Sequence, residues 1–281
     1  MGDKPPLGEE EVRRVLKRLS PLVEEQRNLI GGQAVAYWAA FFELGADASE
    51  LYTSADVDFE GARRSARRAG ELLNGQVRLP SIDDHTPNSG MVKFMDGDGV
   101  ERTVDFLVSP LGLNERDVRD SAIKANVPDP DDSVDTIDFW VMHPERSMES
   151  RVRNVITLRQ QGELALTQLR RSVVCARRFS EYLLDHGDEA ERSRAVLKLN
   201  ERIFRRCQAV DDFVEVKIAF DIDPFDAILL DDRLSEKFRE LRYPQMRTRH
   251  DERCARKADL AARAQRRRDS PGASEPRRRS G

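Results

Sequence analysis

Apolar and polar positions alternate with the period of a β-strand in several short stretches of the first half of the chain. In Asp56-Val57-Asp58-Phe59 the two aspartates share one face, because a strand places residues i and i+2 on the same side. Residues 101–108 alternate in the same way and carry Asp105 in mid-run. Further strands are predicted at residues 27–30, 76–79, 91–95 and 136–141. The pattern therefore predicts a sheet with aspartates on one face.

A helical period, with apolar residues three and four positions apart, marks the rest of the chain. In the first half it predicts helices at residues 9–22, 33–44, 60–73 and 117–125. After residue 145 only helices are predicted, at residues 148–158, 164–184, 190–207 and 235–241. This order indicates an α/β domain with a mixed sheet at residues 1–145, followed by an all-helical domain at residues 146–246.

The aspartates are the first candidates for chemistry. Asp56 and Asp58 form a carboxylate pair, and Asp105 joins them if its strand lies beside theirs. Neighbouring carboxylates repel each other, and a hard divalent cation such as Mg²⁺ neutralises them. Three such ligands can bridge two metal ions, an arrangement that supports phosphoryl or nucleotidyl transfer. We therefore expect two Mg²⁺ ions at these three residues.

Three other Asp-x-Asp pairs are better explained as turns. They begin at Asp96, Asp129 and Asp221. The first lies between two predicted strands and so predicts a hairpin turn, the second lies among prolines, and the third precedes Pro224 and predicts the end of a helix.

A glycine pair, Gly31-Gly32, follows the predicted strand at residues 27–30 and opens the predicted helix at residues 33–44. Backbone amides at such a turn attract phosphate oxygens, because no side chain blocks the approach and the helix dipole favours an anion. The glycines therefore predict a phosphate-binding turn.

Three segments, taken in order, resemble the motif of the polymerase-beta-type nucleotidyltransferase superfamily, and most closely the AbiEii-like toxin nucleotidyltransferases. They are residues 29–34 (LIGGQA), 53–59 (TSADVDF) and 104–106 (VDF). The resemblance covers about the first half of the chain. It implies that the three aspartates bind metal ions and are catalytic, and that the glycine pair and Ser54 face a nucleoside triphosphate. The long interval before Asp56 predicts an extra loop at residues 45–52.

The resemblance also implies a function. We expect a metal-dependent transfer of a nucleoside monophosphate from a nucleoside triphosphate to an RNA or protein acceptor, in a toxin of a toxin–antitoxin or phage-defence system with an antitoxin partner. A small-molecule nucleotidyltransferase of the antibiotic-modifying type stays an alternative, as does a non-catalytic domain that binds a nucleotide or a partner. Arg151, Arg153 and Lys217 are candidates to contact the triphosphate, because cationic side chains suit phosphate oxygens.

Composition limits the cellular compartments in which we expect the protein. The chain has 281 residues, of which 35% are charged, and its longest apolar runs are too short to cross a membrane. Its first residues do not resemble a signal peptide, so we expect a cytoplasmic protein without a membrane partner. The three cysteines and four histidines show no spacing typical of a disulfide framework or a zinc site.

The composition changes at the end of the chain. Residues 247–281 hold 12 lysines and arginines against 5 acidic residues, a net +7, which leaves about −11 for the rest of the chain given its net charge of −4. We expect a basic, partly disordered tail. Its arginine clusters at residues 266–268 and 277–279 either attract RNA or another acidic partner, or only keep the chain soluble.

Overall fold

The structure is a computed structural model that describes residues 6–45, 52, 54–81, 83–84, 86–132, 134–186 and 188–269. The chain forms two compact units, Met1–Tyr182 and Leu183–Gly281. The first is an α/β unit with a mixed sheet, and the described part of the second is helical. The predicted fold class is confirmed at this level. The units divide after residue 182, whereas the sequence placed a domain boundary at residue 145.

A seven-stranded sheet organises the first unit, in the order β3-β4-β5-β2-β1-β7-β6. The strands are β1 Asn28–Ile30, β2 Asp56–Glu60, β3 Gln76–Arg78, β4 Asn88–Met95, β5 Glu101–Leu107, β6 Ile123–Pro128 and β7 Thr136–Val141. The pairs β2–β5 and β1–β7 are parallel, and the other neighbours are antiparallel. Asp56 and Asp58 thus lie in a central strand of the sheet.

The first unit also contains helices at both ends and between the strands. They are α1 Glu9–Leu19, α2 Gly31–Phe41, α3 Arg63–Leu73, α4 Glu115–Ser121, α5 Pro144–Ile156 and α6 Glu163–Asp185, with a 3₁₀-helix at Ser20–Glu25; the division after Tyr182 falls in the last turn of α6. The predicted helix at residues 117–125 is wrong in its second half, where β6 begins. Residues 123–128 alternate in burial and pair with β7 along their whole length. This pairing stabilises a strand in place of the predicted helix.

The core lies on one face of the sheet. Val57 and Phe59 of β2 point into it, and the ring of Phe59 stacks on that of Phe106 with their centroids 5.9 Å apart. Helix α3 packs closely on β4, because a Cβ added to Gly90 would lie 2.5 Å from the Ala66 Cβ. Burying these apolar side chains directs the intervening aspartates of β2 to the opposite face.

The second unit contains α7 Glu189–Ala209, α8 Asp211–Phe220, a 3₁₀-helix at Pro224–Ala227, a π-helix at Lys237–Arg242 and α9 Tyr243–Asp269. The basic tail predicted from residue 247 is helical up to residue 269, because Met246 and His250 are buried and tie this helix to the unit. Residues 270–281, with the second arginine cluster, lie outside the described residues.

A membrane-crossing helix is not found: within the described ranges, no helix combines the necessary length with the necessary hydropathy.

A buried aspartate–histidine contact holds α9 to the loop that follows α8. His250 Nε2 lies 2.9 Å from Asp223 Oδ1, and both side chains are almost fully buried. The His250 ring also stacks on Phe225, with their centroids 4.9 Å apart. Burial alone would raise the pKa of Asp223, but the bonds from His250 and the Phe225 backbone amide, together with Arg247, hold that pKa below its ordinary value.

We predict that Asp223→Asn lowers the free energy of unfolding by about 3 kcal/mol at neutral pH, because a neutral amide replaces the buried carboxylate that His250, the Phe225 amide and Arg247 surround. Since the folded-state pKa of Asp223 lies below its unfolded value, this contribution is present above about pH 4 and is lost as the pH falls further. Urea unfolding at neutral pH and at about pH 3 checks both statements. Asp221→Asn, at an exposed residue, is the control and should change stability by less than about 0.5 kcal/mol.

Candidate active site

Strand register brings the three predicted aspartates together. In the parallel pair of β2 and β5, Asp58 lies opposite Asp105. Neighbouring strands are about 4.8 Å apart, so these two Cα atoms are close. Asp56 lies two residues before Asp58 and therefore on the same face. The three carboxylates thus project from one small area of the sheet.

The glycine pair lies against this area. The end of β1 pairs with β2 so that Ile30 lies opposite Asp58, and the next residue, Gly31, begins α2 with φ +71°. A Cβ at Gly31 would lie 2.0 Å from Asp58 Oδ2, and a Cβ at Gly32 would lie 3.2 Å from the Ser54 Cβ. Only glycine lets the start of α2 approach the carboxylate so closely.

Helices α5 and α6 add a guanidinium. Arg151 Nη1 donates to Gln168 Oε1 (3.0 Å), and Gln168 Nε2 lies only 2.9 Å from where a Cβ of Gly32 would be. With the Asn154 amide turned so that it donates to the Ser150 carbonyl oxygen, Asn154 Oδ1 accepts from Arg151 Nη2 at 3.0 Å. Two side-chain amides therefore hold Arg151 beside the glycine pair.

The charged side chains at this site are half-buried and only partly compensated. Burial raises the pKa of Asp58 to about 6, Arg151 opposes that rise, and Asp56 adds to it. Burial likewise lowers the pKa of Arg151, although the negative charge of Asp58 acts in the other direction. A cation bound beside Asp58 would favour its ionised form, because an opposite charge stabilises a carboxylate.

Asp56 and Asp105 differ in their partners. Asp56 Oδ1 is buried and accepts no hydrogen bond from any residue that the structure describes. Asp105 Oδ1 accepts a long bond, 3.4 Å, from Asn88 Nδ2. Within the described ranges, no three His, Cys, Asp or Glu side chains are arranged as a ready metal site. The carboxylate pair on β2, with its unpartnered oxygen, does fit one hard divalent cation by its chemistry.

The other predicted cations lie elsewhere. Arg153 is two positions from Arg151, about 200° round the helix, and its Nε lies 3.0 Å from where a Cβ of Gly112 would be. Lys217 belongs to the second unit and donates to Asp221 at 2.7 Å. Of the two arginine candidates in the first unit, Arg151 lies beside Asp58 and the glycine pair.

The remaining predicted positions are mostly as expected. Ser54 lies beside Gly32, and its carbonyl oxygen accepts from the Leu7 amide and from Gln33 Nε2. Asp96 accepts from the amides of Asp98 and Val100, which confirms the predicted hairpin turn. The predicted extra loop at residues 45–52 lies largely outside the described residues.

Two residues of this area, Gln168 and Asn88, were not predicted from the sequence. Neither belongs to a recognisable motif, and Gln168 lies more than 100 positions after Asp58. Asn88 lines a cavity of about 330 Å³ together with Arg78 and Met91, among other residues. Because Arg78 pairs with Met91 and Met91 with Asp105, this cavity adjoins the third aspartate along the sheet.

We predict that Gly31→Ala destabilises the fold by about 2–4 kcal/mol, because its Cβ would collide with Asp58 and its φ is positive. Urea unfolding measures this loss. Gly99→Ala is the matched control, since Gly99 also has a positive φ of +76° but open space around a Cβ. This variant should lower the free energy of unfolding by only about 1 kcal/mol. If the collision is the cause, adding Asp58→Ala to Gly31→Ala should recover part of the loss, and an additive double variant would contradict the assignment.

Comparison with known proteins identifies no relative. No family model matches the chain, and the searches of curated proteins and of solved structures returned no significant match. The chemistry of the site is therefore inferred from the residues described above.

Proposed function

We propose that the chain is a nucleotidyltransferase that transfers a nucleoside monophosphate from a nucleoside triphosphate to an acceptor. The observation that carries this proposal is the register that sets Asp58 opposite Asp105, with the glycine turn of α2 against Asp58. Carboxylates beside a glycine-opened helix combine ligands for a cation with amides for phosphate oxygens. Nucleotidyl transfer needs both in one place, since its substrate is a polyphosphate that binds with a divalent ion.

In this reaction an acceptor oxygen attacks the α-phosphorus atom, the bond from that atom to the bridging oxygen breaks, and pyrophosphate leaves. The amides at the start of α2 would contact phosphate oxygens, and Arg151 would add a positive charge to the same group. Asp105 lies where it can accept the proton of the acceptor hydroxyl once Asn88 releases it. Gln168 and Asn154 would keep Arg151 in position.

Asp56 and Asp58 would hold one Mg²⁺ ion, and Asp105 would be a further ligand, whereas the sequence predicted two ions at these three residues. When bound, the ion supplies positive charge that orients the triphosphate and stabilises the charge that develops on it. The unpartnered oxygen of Asp56 supports this assignment, because it is available to a cation, and a cation there would also favour the ionised form of Asp58, whose pKa burial raises.

Two acceptor classes remain under this proposal. RNA or protein is the class implied by the AbiEii-like resemblance, which would make the chain a toxin. The cavity of about 330 Å³ beside Asn88 supports a small-molecule acceptor instead, because its volume suits a small ligand. Incubation with labelled nucleoside triphosphates, Mg²⁺ and either total cellular RNA or a set of small hydroxyl compounds distinguishes the two classes by where the label appears.

We predict that Asp58→Asn reduces label transfer at least about a hundredfold while leaving the fold intact, because it removes a ligand of the ion and a charge at the reacting centre. Transfer is measured with each labelled nucleoside triphosphate. The matched control is Asp138→Asn, at a half-exposed strand aspartate that pairs only with Lys124 among described partners, and it should keep full activity. Retained transfer in Asp58→Asn, or equal loss in both variants, would contradict the proposal.

For Arg151→Gln we predict a rise in the KM for the nucleoside triphosphate of about tenfold or more, since a charge-assisted contact to phosphate is lost. Gln168→Ala should shift KM in the same direction but less, because it only loosens Arg151. Arg159→Gln, at an exposed residue just beyond α5, should leave KM unchanged. An unchanged KM in Arg151→Gln would remove Arg151 from the nucleotide site.

A further inference from the structure

The final helix carries a row of arginines along one side. Arg249, Arg256, Arg263 and Arg267 are all exposed on α9. Their spacings of seven, seven and four residues place them within about 40° of each other around a helix. The row is about 27 Å long at 1.5 Å per residue. We call these four residues the arginine row.

The arginine row lies next to the side of α9 that packs in the second unit, with Arg249 about 60° from the buried Met246 around the helix. That side carries the buried residues Met246 and His250, and half-buried Cys254. His250 is about 120° from Arg256 around the helix. Beyond Ala258, every described side chain of α9 is exposed, so the last turns have no packed side among described residues. The arginine row is therefore accessible over its whole length.

The charges of the row are largely uncompensated. Arg263 pairs with Asp259 at 2.7 Å, whereas no ion pair for Arg249, Arg256 or Arg267 is found among the residues that the structure describes. Other cations flank the row, since Arg266 and Arg268 lie in the same last turns. Residues 1–246 carry a net charge of about −11, so the positive potential is concentrated at this end of the chain.

The residue type indicates the partner. Arginine's planar fork matches phosphate oxygens, and a row of such charges neutralises successive phosphates of a polyanion. Duplex DNA presents about 16 phosphate charges over 27 Å. The row contains no aromatic side chain on which unpaired bases could stack, so it suits the backbone of a duplex better than a single strand.

We propose that the arginine row of α9 is a docking surface for double-stranded nucleic acid, bound through its phosphates without sequence preference. The surface lies in the second unit and shares no residue with the aspartate site, so this proposal does not rest on the proposed function. Binding can be measured without any nucleoside triphosphate, and the two proposals can therefore fail independently.

The test is the salt dependence of binding of the full chain to a labelled duplex of about 20 base pairs, of either RNA or DNA. The variant Arg256→Gln/Arg263→Gln/Arg267→Gln removes three charges and keeps residues that favour a helix. For duplex DNA, we expect the slope of log K against log salt concentration to be less negative by about 2.7 in the variant than in the unchanged chain. We also expect the affinity of the variant at low salt to fall at least about tenfold. Circular dichroism checks that the variant is folded.

The matched control is Arg116→Gln/Arg170→Gln/Arg177→Gln, which removes three exposed charges that each pair with a neighbouring carboxylate. It should change the duplex affinity by less than about twofold. Equal weakening of the two variants would show an effect of net charge alone and overturn the proposal. So would an unchanged affinity of the row variant, or binding that is confined to vesicles of phosphatidylserine and does not occur with either duplex.

Discussion

The two-residue alternation of buried apolar and outward-facing acidic side chains along β2 and β5 is the constraint on which the candidate site depends. The apolar side chains of β2 and β5 must enter the core, and the two-residue period of a strand then forces their aspartates onto the other face. Parallel register places Asp58 beside Asp105, and burial together with Asp56 raises the pKa of Asp58. A structure that keeps such charges together needs cationic partners or hydrogen-bond donors around them.

The surroundings of the aspartates meet this need only in part. Arg151 supplies one positive charge and is itself held by two amides, and Asn88 donates to Asp105. One oxygen of Asp56 has no partner among described residues. Elsewhere in the unit buried charges are paired, as in the 2.7 Å contact of Glu60 with Arg119. On the face where the glycine turn meets the sheet, the unpartnered Asp56 oxygen, the raised pKa of Asp58 and the Arg151 guanidinium occur together, which is the arrangement expected of a site that binds a charged ligand.

The second unit uses charge differently. Its buried pair, Asp223 and His250, is compensated internally and fastens α9 to the unit. A different side of the same helix, about 100–140° from His250, carries the arginine row, in which the ion pair found among described residues is that of Arg263 with Asp259. One helix therefore has a side that stabilises the fold and a side that is available for a polyanion. A helix can combine the two because residues three or four positions apart share a side and residues two apart do not.

Local periodicity in the sequence determined the α/β class, the strands of Asp58 and Asp105, and the glycine turn, because side-chain alternation and glycine geometry act over a few residues. Local periodicity did not predict β6, where pairing with β7 stabilises a strand. It also did not predict the helix α9, which the burial of a few side chains ties to the second unit. Only the tertiary structure brought Gln168 and Arg151 to the glycine pair and separated Arg153 from it. These contacts join residues more than 100 positions apart or opposite sides of one helix, and no pattern along the chain encodes them.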